Sequence, residues 1–251
     1  MAKHTEPIRS SRALMAQRRE PPLSLDNFPT PPWATRALCE LVLPRLGVDA
    51  SALTVWEPAC GEGIMAAVLR EYFKSVFSTD IYNYLLNKPC EGLCYDFLND
   101  EAQMRRERNG GKIYDWVITN PPFSGKQKCA EARIDRSLEF ILLALKRARL
   151  GVAMFVRTQW AVEGVTRYER LFKLRPPTVF APFAERVPLC RGRWNPDGST
   201  ATAYCWLVWV KGKRSLPTFF IPPGQRKALT EPDDRRRFAA WSMPVLAEAA
   251  E

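Results

Sequence analysis

Within this 251-residue chain, the segment Asn120-Pro121-Pro122-Phe123 carries the most specific chemistry. Asn120 brings a side-chain carbonyl, and two consecutive prolines remove two backbone donors and stiffen the chain, leaving carbonyls as acceptors. Together the Asn120 side chain and the Pro121 carbonyl can accept both hydrogens of one planar amino group, while Phe123 offers a face on which a flat ring stacks. Such a grip favours the amine becoming tetrahedral and frees its lone pair for in-line attack on a sulfonium methyl group. That chemistry needs neither a metal nor a covalent cysteine. A plain Pro-Pro turn is the competing explanation, but it leaves the preceding Asn and the following aromatic unexplained.

A second group lies upstream, in Glu57-Pro58-Ala59-Cys60-Gly61-Glu62-Gly63. Glycines at a strand-to-helix turn let the backbone approach a ligand and adopt dihedrals that a β-carbon would forbid. The full dinucleotide fingerprint is missing, because Met65 and Ala66 follow where its third glycine would fall, which argues against a pyrophosphate ligand. Asp80, followed by Ile81, stands seventeen residues beyond Gly63, where a carboxylate can accept ribose hydroxyls. Asp96-Phe97 then pairs an acceptor for an adenine amino group with a ring to pack on the base. Singly, Asp80 or Asp96 reads equally well as a solvated loop carboxylate; closing successive strands, they read as a nucleoside cradle.

The elements that must position these residues follow from periodicity. Short apolar runs at Leu53–Trp56, Ser75–Thr79, Gly92–Tyr95, Tyr114–Thr119, Gly151–Val156, Thr178–Phe180 and Thr202–Val210 predict strands. Between them, Met65, Val68, Leu69 and Phe73 mark one helix, and Ile134, Leu138, Ile141, Leu142 and Leu145 mark an apolar stripe within Glu131–Leu150. A shorter helix is expected around Tyr168–Leu174. Strand–helix alternation with hydrophobic strands implies a parallel sheet covered on both faces. Residues 1–25 are expected to form a basic N-terminal arm, 26–215 a catalytic domain, and 216–251 a Pro/Arg-rich extension, with no further core evident after Lys211.

Composition narrows the function classes. The chain is 46% hydrophobic and 25% charged, as a globular protein is, and no apolar run approaches the roughly 18 residues of a membrane span. The first twenty residues lack an apolar segment of the secretory kind. Seven cysteines without a Cys-x-x-Cys pair, and a single histidine, His4, offer no zinc site, so no metal is expected and the thiols read as reduced, in a cytoplasmic protein. A net charge of +10 favours a polyanionic partner.

Taken together, Glu-Pro-Ala-Cys-Gly-Glu-Gly followed by Asn-Pro-Pro-Phe is similar to class I S-adenosylmethionine-dependent methyltransferases acting on amino groups of bases, the DNA adenine-N6 enzymes above all. The likeness covers roughly residues 26 to 211. It implies an α/β, Rossmann-like fold with a mostly parallel seven-stranded sheet and helices on both faces. It implies S-adenosyl-L-methionine as cofactor and DNA as partner, the target base being flipped out of the stack. By the same resemblance, Thr30 and Pro31 close over the methionine end of the cofactor. Glu57, Pro58, Ala59, Cys60, Gly61 and Gly63 line its methionine and ribose, Asp80 and Ile81 its ribose, and Asp96 and Phe97 its adenine. Asn120 would border the cofactor, and Asn120, Pro121, Pro122 and Phe123 would hold the base. Asn rather than Ser at 120 tilts the reading towards adenine, and no Pro-Cys nucleophile for ring-carbon chemistry stands at that turn; Pro89-Cys90 is elsewhere.

The stretch Phe183–Pro188 and Gly198–Trp206 is similar to the tail of small phage and prophage methyltransferases. With no large recognition domain inserted, sequence selectivity would fall to Arg186, Arg191, Arg193 and Trp194, residues that otherwise form a solvated basic loop. Three rival readings stay open: an RNA base methyltransferase, a protein glutamine methyltransferase, and a catalytically silent nucleic-acid-binding module on the same scaffold.

Overall fold

The computed structural model describes residues 27–82, 84, 93–99, 114–123 and 135–239. The expected N-terminal arm and Pro89-Cys90 lie outside these residues. Seven strands form one sheet: β1 (Thr54–Glu57), β2 (Ser75–Asp80), β3 (Leu93–Cys94), β4 (Trp116–Thr119), β5 (Gly151–Arg157), β6 (Val179–Pro182) and β7 (Tyr204–Val210). Their spatial order is β3-β2-β1-β4-β5-β7-β6. The first five pair in parallel, whereas β7 runs antiparallel to both β5 and β6, so the sheet is mixed. Seven strands, mostly parallel, agree with the resemblance, and β7 is the antiparallel exception that strand–helix alternation alone does not show. The chain reaches β7 from β6 through a loop, Phe183–Ala203, that carries no crossover helix, and such a link permits antiparallel entry.

Both faces of the sheet are dry, for a reason legible in period-two alternation. Val55, Trp116, Ile118, Ala153, Phe155, Trp206 and Val208 point to one core, which is closed by α1 (Pro32–Ala37) and its continuation through a π-helical turn, Leu38–Val42. Their sequence neighbours Trp56, Val117, Val152, Met154, Cys205, Leu207 and Trp209 point to the other, closed by the longest described helix, α3 (Arg136–Arg147). The Asp135 side chain caps that helix by accepting from the Leu138 amide at 3.1 Å. The helix is shorter than the expected Glu131–Leu150; residues 131–134 lie outside the described set, and Ala148 already has extended dihedrals. Gly151 is fixed by space, because a β-carbon there would sit 2.5 Å from the Trp116 ring.

Residues beyond Lys211 contribute more core than their composition suggests. Ile221 is buried and bridges to Phe183, and Phe238 packs with Trp194 against Ile64 and Val68 of α2 (Ile64–Leu69). Arg36 of α1 is buried and donates to both oxygens of Asp234, at 2.7 and 2.9 Å, to Glu71 at 2.9 Å and to the Leu229 carbonyl at 2.9 Å. Burial alone would lower the Arg36 pKa, but Asp234 and Glu71 hold the guanidinium firmly charged. Among the described residues, no helix is long and apolar enough to cross a membrane.

Candidate active site

Strand order reverses between β1 and β4, and a cleft of about 1230 Å³ opens beyond the carboxyl ends of those strands. Its wall brings together residues far apart in sequence: Phe28 and Thr30, Glu57–Glu62, Asp80 and Ile81, Asp96 and Phe97, and Asn120–Phe123. Pro31, at the entry to α1, and Gly63, at the entry to α2, stand just outside that lining.

The turn after β1 is built by its two glycines. Gly61 and Gly63 have φ of 54° and 86°, the left-handed region that side chains with a β-carbon avoid. A β-carbon on Gly61 would also press to 3.0 Å from Asn27 Oδ1. Asp80 secures the turn by accepting from the Gly61 amide at 2.8 Å and from the Tyr82 amide at 3.0 Å. Its carboxyl is nevertheless raised above the usual range, since burial outweighs the pull of the Gly61, Tyr82 and Ile81 amides. Beside it Ile81 is 52% exposed, an apolar surface on the cleft wall.

Glu57, at the end of β1, is buried, and its Oε2 has no hydrogen-bond partner. Burial, and then the neighbouring Asp80 charge, raise its pKa well above the usual carboxylate range; Arg70 and the Ala66 amide draw it back only in part. A buried acceptor in this state gains from any donor that enters the cleft.

Asp96 accepts from the Leu98 amide at 3.0 Å and from Asn99 Nδ2 at 2.7 Å, so much of its acceptor capacity shapes its own turn. Phe97 departs from the expectation of a ring presented to a base. It is 1% exposed, with its centroid 5.0 Å from Trp56 and 4.9 Å from Phe140, and the Arg147 guanidinium 4.6 Å above it. It borders the cleft as packed core, not as a free face.

The turn after β4 has a different character. Asn120 Nδ2 donates to the Phe28 carbonyl at 2.9 Å and to Thr30 Oγ1 at 3.1 Å, while its Oδ1 is buried without a partner. Pro121 is buried, and the Pro122 carbonyl accepts from Ser137 Oγ at 2.7 Å, which corrects the expectation that both carbonyls stay free. The Phe123 ring is half-buried, packed on Phe28 with the Arg157 guanidinium 4.9 Å from its centroid. Arg157 went unnoticed in the sequence. Its only signal is its place directly after the apolar run of β5, beside the turn that ends β4.

The basic loop divides. Arg191 lines the cleft, and Gly192 at φ 72° lets the chain double back so that Cys190 bridges to Arg193. Arg186 is exposed and donates to the Ala201 carbonyl across the loop. Trp194 is 5% exposed and packs against Phe238 and the α2 residues Ile64 and Val68, so its expected role in touching nucleic acid is corrected: the ring holds the C-terminal segment. Among the described residues, no group of three or more His, Cys, Asp or Glu side chains is placed to hold a metal.

No protein-family model and no curated protein matches the sequence. Solved structures do resemble the fold. A Listeria monocytogenes protein described as a class I S-adenosylmethionine-dependent methyltransferase superposes with a TM-score of 0.57 at 11% identity, over 85% of this chain and 72% of its own. A Vibrio vulnificus YJ016 chain described as the modification subunit of a type I restriction enzyme gives 0.54 at 15% identity, over 84% of this chain and 52% of its own. The type I restriction-modification methyltransferase subunit of Streptococcus thermophilus gives 0.55 at 13% identity, over 79% and 48%. The chain thus spans about half the length of those two subunits. At these identities the likeness establishes the fold alone, the one that these methyltransferase structures share.

Proposed function

We propose that this chain is an S-adenosylmethionine-dependent methyltransferase acting on the exocyclic amino group of adenine in DNA. One observation carries the reading: Asn120 holds an unpartnered, buried carbonyl oxygen at the same cleft that the Gly61–Gly63 turn and Glu57 border. An amide whose donors are occupied and whose acceptor is not is set to receive a donor. An amino group on a flat base is such a donor, and Phe123 lies beside it for stacking.

The residues present fit the cofactor. Gly61 leaves room where a β-carbon would crowd Asn27, and the orphaned Glu57 oxygen favours a cationic or N–H-bearing group nearby. Glu57 and the 58–63 turn would hold its amino-acid portion together with Thr30 and Pro31. Asp80 would receive ribose hydroxyls on the lone pairs that its backbone donors leave, with Ile81 and the Asp96-Phe97 turn bordering the adenine. When bound, the cofactor supplies an electrophilic methyl on a sulfonium. The chain's own part is to orient the amine and to exclude water, and orientation of this kind is worth about 7–11 kcal/mol. No cysteine is needed as a nucleophile, and the Cys60 thiol sits in the glycine turn rather than at Asn120.

The preference for DNA rests on the net charge of +10 and on the fold likeness to restriction-modification subunits. Transfer of labelled methyl from the cofactor to unmethylated duplex DNA, to RNA and to protein tests the proposal. Label in adenine N6 of DNA is the expected result; label confined to RNA or to glutamine amides, or no label in any acceptor, rejects it.

A further inference from the structure

The segment just before α1 crosses the cleft and touches three separate loops. Asn27 Nδ2 donates to Glu62 Oε1 at 3.1 Å in the glycine turn, and the Asn27 carbonyl accepts from the Gly192 amide at 2.8 Å in the basic loop. One and three residues further on, the Phe28 carbonyl and Thr30 Oγ1 take the two hydrogens of the Asn120 side-chain amide. Asn27 and Thr30 are buried, at 7% and 3% exposure.

We propose that residues 27–30 form a strap whose Phe28 carbonyl and Thr30 hydroxyl lock the Asn120 amide in one orientation, making Thr30 a positioning residue for the transfer. The lock follows from what each atom is able to do. An Asn amide has two nearly isosteric ends, and turning it over exchanges donor for acceptor. A backbone carbonyl only accepts, so a flipped Asn120 would set Oδ1 against the Phe28 oxygen at 2.9 Å, two acceptors in repulsion. Thr30 alone would permit either orientation, because a hydroxyl both donates and accepts. The Phe28 carbonyl therefore selects the orientation and Thr30 satisfies the second hydrogen. The consequence is the orphaned Oδ1, an acceptor held in readiness instead of relaxing into a bond with its own protein. Because the strap is also tied at Glu62, the order of the glycine turn and the orientation of Asn120 share one set of contacts.

This inference rests on the proposed function for its catalytic meaning, but the lock itself is measurable without turnover. The Asn120 side-chain N–H pair, assigned by its loss in Asn120→Asp, is followed by hydrogen exchange in the full chain. Slow exchange is expected in the wild type, at least about tenfold faster exchange in the near-isosteric Thr30→Val, and recovered protection in Thr30→Ser. In methyl transfer at saturating cofactor, where any loss of cofactor affinity at Thr30 no longer limits the rate, Thr30→Val should still lower kcat about tenfold, and Thr30→Ser should regain most of the loss. Exchange in the wild type as fast as in an exposed amide overturns the lock. So does a Thr30→Val defect that lies wholly in cofactor Kd and vanishes at saturation, for Thr30 would then be a cofactor contact only. A protected amide that depends on Thr30, in a protein that methylates no acceptor, supports the lock and removes the proposed function.

Discussion

At the carboxyl ends of β1 and β4, the fold buries Glu57 Oε2 and Asn120 Oδ1 and gives them nothing to bind. In the loop after β6 the polar and aromatic groups find partners within the protein: Arg186 donates to Ala201, the Gly198 and Pro196 carbonyls accept from Arg226 further along the chain, and Trp194 is sealed under Phe238. A buried acceptor without a partner costs on the order of 1–3 kcal/mol, so one that borders a cleft gains from any donor that enters it. The loop shows the opposite economy, its groups completed by the protein itself. The contrast separates a region built to receive from a region built to hold.

Trp194→Ala bears hardest on that contrast. A packed aromatic removed from a core costs about 3–5 kcal/mol, and denaturant unfolding should register that loss, with nucleic-acid affinity falling only in proportion to the unfolded fraction. Selective loss of nucleic-acid binding at unchanged stability would return Trp194 to the interface and dissolve the distinction. Asn120→Ala comes next. Removal of a preorganised polar group facing the reacting atom lowers kcat about 10²–10³-fold, and titration with the cofactor should show binding held within a few-fold. Parallel loss of both would place Asn120 among cofactor contacts.

Glu57→Gln sharpens the comparison through pH. The Glu57 carboxyl has a folded pKa raised above its ordinary 4.5. The folded chain therefore holds that proton more tightly than the unfolded chain, and stability declines as pH rises past about 4.5 until the folded value is exceeded. Glutamine removes that decline, so the variant should melt above the wild type at pH 7.5, converge with it near pH 4, and bind the cofactor more weakly. A variant that melts lower at pH 7.5 would mean Glu57 is completed from within. The smallest effect is expected at Arg191→Ala: weaker DNA binding with the salt slope reduced by about 1. An unchanged slope would deny the cleft-facing part of the loop any phosphate contact.

Strands were the most legible part of the sequence, because alternating burial on two faces leaves near-continuous apolar runs such as Gly151–Val156 and Tyr204–Val210. The direction of β7 was not, since direction depends on how the 183–203 loop returns and not on the residues within the strand. At the cleft, glycines and the Asn-Pro-Pro-Phe turn announced themselves by residue type. Phe97 and Trp194 misled for a common reason: an aromatic beside polar residues reads as a displayed face, and only packing tells whether Trp56 and Phe140, or Ile64 and Phe238, already cover it. Asn27 carried no signal at all, because its partners Glu62 and Gly192 are distant in sequence.

Arg36 ties these regions together in a way that bears on trimming the protein. The guanidinium sits in the helix directly after the strap, and its bidentate counter-charge, Asp234, arrives from almost two hundred residues downstream. A shortened form ending before Asp234 would strand a buried cation with Glu71 as its remaining acidic neighbour, and breaking such a pair costs about 3–5 kcal/mol. The distal stretch thus behaves as a tether for the opening helix, and shortening it would slacken the fastening of Thr30 from the far side of the molecule.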